Sequence, residues 1–210
     1  TLAHSEKSKE ATMNSNIEPS VEGIKKLVGV VEDDQKVSTQ EQALTHLFTK
    51  TYPNNDDILE ITIKVSALNT LYSTQLHKYL FPVVNHLKNL SIDERLKNGD
   101  ITLIDDIIQT PLEDGKIYRC YSFATKYCSF HRPDAYPIYD SYVDRVLVYL
   151  QARDKFAGDM VIDNKNYLSY VQAIKKFQAH YQLNNFSLKQ IDKYLWQLGY
   201  ELVKQWELTQ

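Results

Sequence analysis

The sequence has 210 residues, of which 43% are hydrophobic and 24% charged, and its formal net charge is -3 at pH 7. This length and composition suit one globular domain with a sizeable core, and the small negative charge gives the chain as a whole no attraction for polyanions. Six glycines and six prolines are too few for an all-β fold, which needs many turns.

Two features bear on where the protein works. No apolar run approaches the length of a membrane-spanning helix, and no signal-peptide pattern opens the chain. Cys120 and Cys128 lie eight residues apart, which is neither a metal-binding spacing nor a disulfide framework. We therefore expect a cytoplasmic protein with no membrane association, no metal and no cofactor.

The first half of the chain predicts helices separated by polar turns. Residues 1–19 are polar without apolar periodicity, which indicates a disordered segment, and 20–210 are expected to form a single helical domain. The predicted helices run from Ser20 to Val31, from a capping box of Ser38 and Glu41, from a cap at Asp56 or Asp57, and over 74–90 with a kink or new first turn at Pro82.

The second half continues the same pattern. Short or medium helices are predicted over 101–108, 116–131 and 141–153, and two long ones close the chain within 160–210, over 164–181 and from Ser187, whose capping box is completed by Gln190. The last helix has an apolar stripe that is either core or a dimer seam, formed by Leu188, Ile191, Leu195, Leu198 and Leu202. The sequence therefore predicts an all-α, multi-helix fold.

One string is more specific than the rest. Residues 136–147 have the sequence YPIYDSYVDRVL, and Ser122-Phe123-Ala124 precede Asp140 by a fixed interval. This segment resembles the helix-hairpin-helix DNA glycosylases, in which F-P-I-L-D-G-N-V-x-R-V-L follows S-T-A at the same distance without a gap. Residues 69–75 and Pro82 are similar to an upstream helix of that family, so the resemblance covers about 58–150.

The resemblance implies a fold of that type and a site around Asp140. Asp140 matches the family's catalytic aspartate, which stabilises the sugar cation or activates water when the base leaves. Asn69, Ser122 and Tyr139 would face the substrate. Asn69 stands where the family has an acid, and Ser122 stands where some relatives have a Schiff-base lysine, so any enzyme is expected to be monofunctional.

The hairpin glycines of the family are replaced here by residues 116–120, KIYRC, after Gly115. Lys116 and Arg119 would then bind phosphate by side-chain charge rather than by backbone. Residues 116–155 carry seven Lys or Arg against four Asp or Glu. DNA is accordingly the expected partner, contacted by Lys116, Arg119, Lys126, Arg132 and Arg145, although the same residues suit an ordinary solvated surface.

Three alternatives stay open at this point. Asp140 has a plain role as a helix N-cap, which is compatible with catalysis. A non-enzymatic interaction protein could have kept the scaffold and associate with itself through residues 187–206. The twelve-residue match could also be chance within an unrelated helical bundle.

Overall fold

A computed structural model describes residues 17–33, 35–163 and 165–208. These residues fold into an all-α, multi-helix architecture, as the periodicity predicts, with one small hairpin. The helices are α1 (Val21–Asp33), α2 (Gln35–His46), α3 (Ile58–Tyr72), α4 (Leu80–Leu90), α5 (Asp93–Asn98), α6 (Leu103–Ile107), α7 (Tyr121–His131), α8 (Ser141–Asp154), α9 (Tyr167–His180) and α10 (Leu188–Leu208). A π-helical segment, Leu47–Thr51, extends α2, and a 3₁₀ turn, His77–Tyr79, precedes α4.

Helix α7 lies at the centre of the fold. Residues 123–130 are all buried, and α7 packs against α2, α3 and α6. Helix α10 packs along α8 and also contacts α1. Because α7 is enclosed on every side, its polar residues are forced into the core, and two of them, Thr125 and Lys126, reappear in the site described below.

Local capping signals predicted several helix starts correctly. Asp57 accepts the backbone N–H groups of Leu59 and Glu60 at the start of α3. Ser187 and Gln190 form the reciprocal capping box before α10, with Gln190 Oε1 accepting from Ser187 N at 2.9 Å. Such caps depend on residues three positions apart or fewer, so the sequence alone specifies them.

Other predicted boundaries are wrong, and the largest error concerns residues 110–118. They form an antiparallel hairpin, β1 (Thr110–Pro111) with β2 (Ile117–Tyr118), where the sequence predicted a helix from 116. Gly115 takes a positive φ of 76°, which closes the turn, and Leu112 N donates to Lys116 O. Helix α7 therefore begins only at Tyr121.

Three further differences have local causes. Helix α2 begins at Gln35, three residues before the predicted start at Ser38. The predicted helix over 74–90 is broken by residues of positive φ, including Gln75 and His77, before α4 starts with Pro82 in its first turn. Helix α5 was not predicted at all; its last residue, Asn98, is followed by Gly99 in the left-handed region.

The N-terminal prediction falls mostly outside the described residues, since it concerned 1–19. Its last part is wrong, because Ile17 is buried and its carbonyl accepts from Arg153 Nη1 at 2.6 Å. Within the described ranges, no helix combines the length and apolar character needed to cross a bilayer.

The apolar stripe of α10 belongs to the core. Ile191, Leu195 and Leu202 are fully buried and Leu198 nearly so, while Leu188 packs at the edge of the core. This excludes the stripe itself as a seam between two copies of the chain. Gly199 on the same helix permits the close approach of α8, because a Cβ atom there would lie 2.1 Å from Tyr142 O.

We expect Gly199→Ala to destabilise the protein despite the higher helix propensity of alanine. The propensity gain is about 1 kcal/mol, whereas the added methyl group meets a backbone carbonyl that can move only with α8, an overpacking cost of roughly 1–3 kcal/mol. Urea unfolding measures the difference, with Lys204→Ala on the exposed face of the same helix as the control. A more stable Gly199→Ala variant would contradict this packing.

Candidate functional site

Asp140 lies at the start of α8, where the resemblance places the catalytic aspartate. Its backbone is extended, as is usual for an N-cap residue, and its Oδ1 accepts the N–H of Tyr142 at 2.9 Å. Asp140 is therefore an N-cap, which is the plain role, and the residue is half-buried.

The loop before Asp140 is held at its N–H groups by two side chains from other helices. Ile138 N donates to Asp192 Oδ2 on α10 at 2.8 Å, and Tyr139 N donates to Thr125 Oγ1 on α7 at 3.1 Å. Both acceptors belong to buried residues. The loop therefore rests directly on the core.

The carbonyls of the same loop are bound from α9. Tyr167 donates its hydroxyl to Pro137 O at 2.8 Å, and Tyr170 donates to Ile138 O at 2.6 Å. Both tyrosines are fully buried, and burial raises the pKa of each well above its usual value. They consequently remain proton donors across the physiological range and keep the loop in one conformation.

Asp192 is the most perturbed acid of this region. It is 9% exposed, and its Oδ1 atom accepts no hydrogen bond from any described residue. Burial raises the pKa of Asp192 to about 8, and this outweighs the hydrogen bond from Ile138 N and the charge of Lys126, both of which lower it. A buried carboxyl with an unpaired oxygen costs stability, so its retention calls for an explanation.

Lys126 lies beside these acids and is also buried. Its Nζ donates to Ser122 Oγ at 2.6 Å, one turn earlier on α7. Burial lowers the pKa of Lys126, while the charges of Asp140 and Asp192 raise it. Lys126, Asp140, Asp192 and Ser122 thus form one polar cluster beneath the loop, which we call the Asp140 cluster.

This placement corrects the prediction for Lys126. We expected it to contact phosphate from an exposed surface, but it is 6% exposed because α7 is central. Ser122 and Tyr139, by contrast, are both half-buried near Asp140. The Tyr139 ring lies 4.5 Å from that of Tyr121, and its hydroxyl donates to Asp144 Oδ2 at 3.3 Å.

Asn69 has a structural task at the end of α3. Its Oδ1 accepts from Thr74 Oγ1 and from Leu76 N, both at 3.0 Å, and so closes the turn after α3. No hydrogen bond joins Asn69 to Asp140 in the described residues. The predicted convergence of these two side chains is therefore not supported by their contacts.

The exposed basic residues are not equivalent. Lys116 pairs with Asp114 at 2.7 Å, and Arg132 pairs with Asp134 at 2.9 Å. Arg119 and Arg145 are exposed and form no ion pair with a described residue. Of the five predicted phosphate ligands, these two are the ones whose charge is not already engaged by a carboxylate or by burial.

A second buried polar network lies around Asn55 and was not predicted. Asn55 Oδ1 accepts from Lys64 Nζ at 2.7 Å and from Tyr127 OH at 2.5 Å, and its Nδ2 donates to Asp93 Oδ1 at 2.6 Å. Lys64 also donates to Asn54 O at 2.7 Å. Burial lowers the pKa of Lys64 to about 8.

His131 completes this Asn55 network. Its Nε2 lies 3.4 Å from both Lys64 Nζ and Asn55 Nδ2, so it can accept from either when neutral. Burial, with the neighbouring Lys64 charge, lowers the pKa of His131 to about 3, which keeps the ring neutral. Both polar atoms of the Asn55 side chain thereby have partners, which indicates a structural network rather than a binding site.

A sequence signal for both buried clusters exists. Lys64 stands among Ile61, Val65 and Leu68 at helical spacing, and Asp192 stands similarly beside Leu195 on α10. An ionisable residue within the apolar stripe of a helix is buried with that stripe and needs a partner there. Lys64 and Asp192 are therefore two residues whose burial the sequence itself indicates.

A cavity of about 460 Å³ lies elsewhere, between α2, the π-helical segment and the start of α10. It is lined by Glu41, Gln42, Thr45, His46, Thr49, Lys50, Lys189 and Lys193. None of these residues was among the predicted site residues.

Comparison with known proteins gives a family but no activity. Residues 23–135 match the family model HI_0787_N, described as an N-terminal domain. The chain is similar to an "Uncharacterized protein" of Haemophilus influenzae, with 39% identity over 155 residues, which cover 73% of this chain and 74% of the relative. No solved structure matches the chain.

Asn55→Ala should destabilise the protein by on the order of 3 kcal/mol, because Tyr127 OH loses its partner and Lys64 and Asp93 each lose one of theirs. Thermal and urea unfolding measure the loss. Asn54→Ala is the matched control, since that side chain is exposed and only its backbone carbonyl is used. Equal stability of the two variants would show that the network does not carry this energy.

Asp192→Asn should change the pH dependence of stability. Burial raises the Asp192 pKa from 3.8 to about 8, so between these pH values the folded protein keeps a proton that the unfolded chain has lost. The stabilisation that this proton provides is complete below about pH 4 and is lost as the pH rises towards 8. The asparagine variant has no such loss.

The measurement is the free energy of unfolding of both proteins at pH 5 and pH 8. The free energy of unfolding of Asp192→Asn, relative to that of the wild type, should increase by at least about 1 kcal/mol from pH 5 to pH 8, given roughly 1.4 kcal/mol for each pKa unit. Other titrating groups, such as His131, are present in both proteins and cancel in the difference. An advantage that is the same at both pH values would refute the raised Asp192 pKa.

Proposed function

This chain belongs to the HI_0787_N family, and we propose that it is a nucleic-acid-binding protein of DNA glycosylase type in which Asp140 is the catalytic carboxylate. The resemblance of residues 136–147 supplies the chemistry. The structure supports the proposal because the Asp140 carboxylate is held by a backbone hydrogen bond at the start of α8. The reaction class is hydrolysis of an N-glycosidic bond without a lyase step.

The observation that carries the proposal is the fixation of the loop before Asp140. A helix cap needs a single hydrogen bond, which Tyr142 N provides. Four further side chains hold the loop, from α7, α9 and α10, namely Thr125, Tyr167, Tyr170 and Asp192. This exceeds what a cap requires and is what a preorganised catalytic group requires.

The chemistry follows from a carboxylate held in one place. As the base leaves, positive charge develops on the sugar, and a fixed carboxylate stabilises that charge or orients water towards it. Asp140 has the partial exposure needed to meet a substrate, whereas Asp192 behind it is buried. Arg119 and Arg145 supply exposed positive charge for phosphates.

A non-enzymatic interaction protein is the second candidate, and one observation favours it. The residue at the position of the family's acid, Asn69, is occupied in holding the turn after α3. Asparagine cannot donate a proton to a leaving base at neutral pH, and nothing in the contacts of Asn69 directs it towards Asp140. Under this alternative the loop before Asp140 would position a binding surface.

Release of free base from a panel of lesion-bearing and mismatched duplexes tests the enzyme. Asp140→Asn should lower the rate by at least about a hundredfold while leaving the melting temperature nearly unchanged, because asparagine caps a helix as well as aspartate does.

Asp57→Asn is the matched control. Asp57 caps α3 in the same way but precedes a helix outside the Asp140 cluster, so both its activity and its stability should stay at the wild-type level. Full activity of Asp140→Asn, or the same loss in Asp57→Asn, would remove Asp140 from the mechanism. No base release from any duplex by the wild-type protein would leave the second candidate.

A further inference from the structure

The outer face of α10 carries a regular stripe of basic and aromatic residues. Lys189, Lys193, Trp196, Tyr200 and Lys204 follow one another at spacings of four, three, four and four. These spacings place them on one face, opposite the buried leucine stripe. Trp196 is 42% exposed and Tyr200 40% exposed, which is unusual for side chains of their size.

The two aromatic rings form a stacked pair, which we call the aromatic platform. Trp196 and Tyr200 stack with an interplanar angle of 6° and ring centroids 5.5 Å apart. Tyr142 meets both edge-on, at 5.7 Å from Trp196 and 5.8 Å from Tyr200. Since Tyr142 N is the donor to Asp140, the platform adjoins the candidate site.

Lysine side chains flank the platform at both ends. Lys189 and Lys193 both pair with Glu41, whose side chain is 12% exposed, while the two lysines are 43% and 38% exposed. One carboxylate cannot neutralise two ammonium groups, so a positive charge is left over at this end. Lys204 is exposed at the other end, roughly 22 Å from Lys189 at the rise of an α-helix, with the exposed Glu201 and Glu207 three positions before and after it. The surplus positive charge of the face therefore lies at the Lys189 end.

The cavity described above continues the stripe beyond Lys193. It shares Lys189 and Lys193 with α10 and adds Lys50 and His46 from the opposite wall. An anionic group seated there would meet ammonium groups from two sides. The aromatic platform and the basic cavity therefore form one continuous surface, 189–204, which we call the α10 face.

We propose that the α10 face binds an unpaired strand of nucleic acid, with bases stacked on Trp196 and Tyr200 and phosphates at the flanking lysines. Exposed aromatic rings between cations are the combination that binds single strands without sequence preference. The inference rests on the proposed function, because it takes nucleic acid as the partner. It assigns to α10 the binding of an unpaired strand next to the Asp140 cluster.

The basic cavity and the two exposed rings together favour an anionic partner with planar groups over a second copy of the chain. Lys50, Lys189 and Lys193 line the cavity against one carboxylate, Glu41, so a group seated there should be negatively charged. The lysines also distinguish this face from an apolar docking groove for a protein.

Binding of a fluorescently labelled oligothymidine, followed by anisotropy at low salt, tests the inference. Trp196→Ala and Tyr200→Ala should each weaken binding about tenfold, whereas Trp196→Phe, which keeps a ring, should retain most of the affinity. Phe81→Ala is the matched control, since Phe81 is an exposed aromatic residue on α4, 66% accessible, and should bind as the wild type does. Lys204→Glu should weaken binding and reduce its salt dependence.

The same experiment separates this inference from the proposed function. Strand binding that depends on Trp196 supports the inference even where no base is released from any duplex. Absence of strand binding by the wild-type protein, or equal binding by Trp196→Ala and Phe81→Ala, would overturn it. A dimer in solution that Trp196→Ala converts to a monomer would also overturn it, by showing that a second copy covers the face.

Discussion

The hydrogen bond from Ile138 N to Asp192 Oδ2 is the constraint on which the candidate site depends. It joins α10, near the end of the chain, to the loop that positions Asp140. Burial raises the pKa of Asp192 because the charged carboxylate would lose its hydration. Its second oxygen, Oδ1, forms no hydrogen bond with a described residue. An apolar residue at this position would pack α10 equally well but would leave Ile138 N unpaired. The buried acid is thus explained by the loop and not by the helix that carries it.

Sequence reasoning succeeded where the determining residues are neighbours in the chain. The caps at Asp57, Asp140 and Ser187 and the apolar periodicity of α8 and α10 are local, so the all-α fold could be predicted. It failed for the hairpin of residues 110–118, because strands of two residues have no periodicity and depend on the backbone conformation of Gly115. It also failed at Ser38, where a capping pattern occurs inside a helix that starts earlier.

Only part of the candidate site could be predicted from the sequence. The position of Asp140 follows from its own helix, but whether a basic residue on α7 faces solvent depends on the helices around it. Lys126 was expected at a surface and lies in the core, where burial lowers its pKa and the charges of Asp140 and Asp192 oppose that lowering. The role of α10 was missed because its contact with the loop joins residues 54 positions apart. No spacing rule covers such a pair; only the presence of an acid within an apolar stripe indicates it.

The two buried polar networks differ in how many of their polar atoms have hydrogen-bond partners. In the Asn55 network each hydrogen of the Lys64 ammonium has an acceptor within reach, at Asn54 O, Asn55 Oδ1 and His131 Nε2. Such a closed set stabilises one packing of α3 against α7 and leaves no group to meet a ligand. In the Asp140 cluster, Asp192 has an unpaired oxygen and Asp140 is partly open to solvent. The incomplete network is the one that adjoins the candidate site, and its unpaired oxygen is the feature that the Asn55 network lacks.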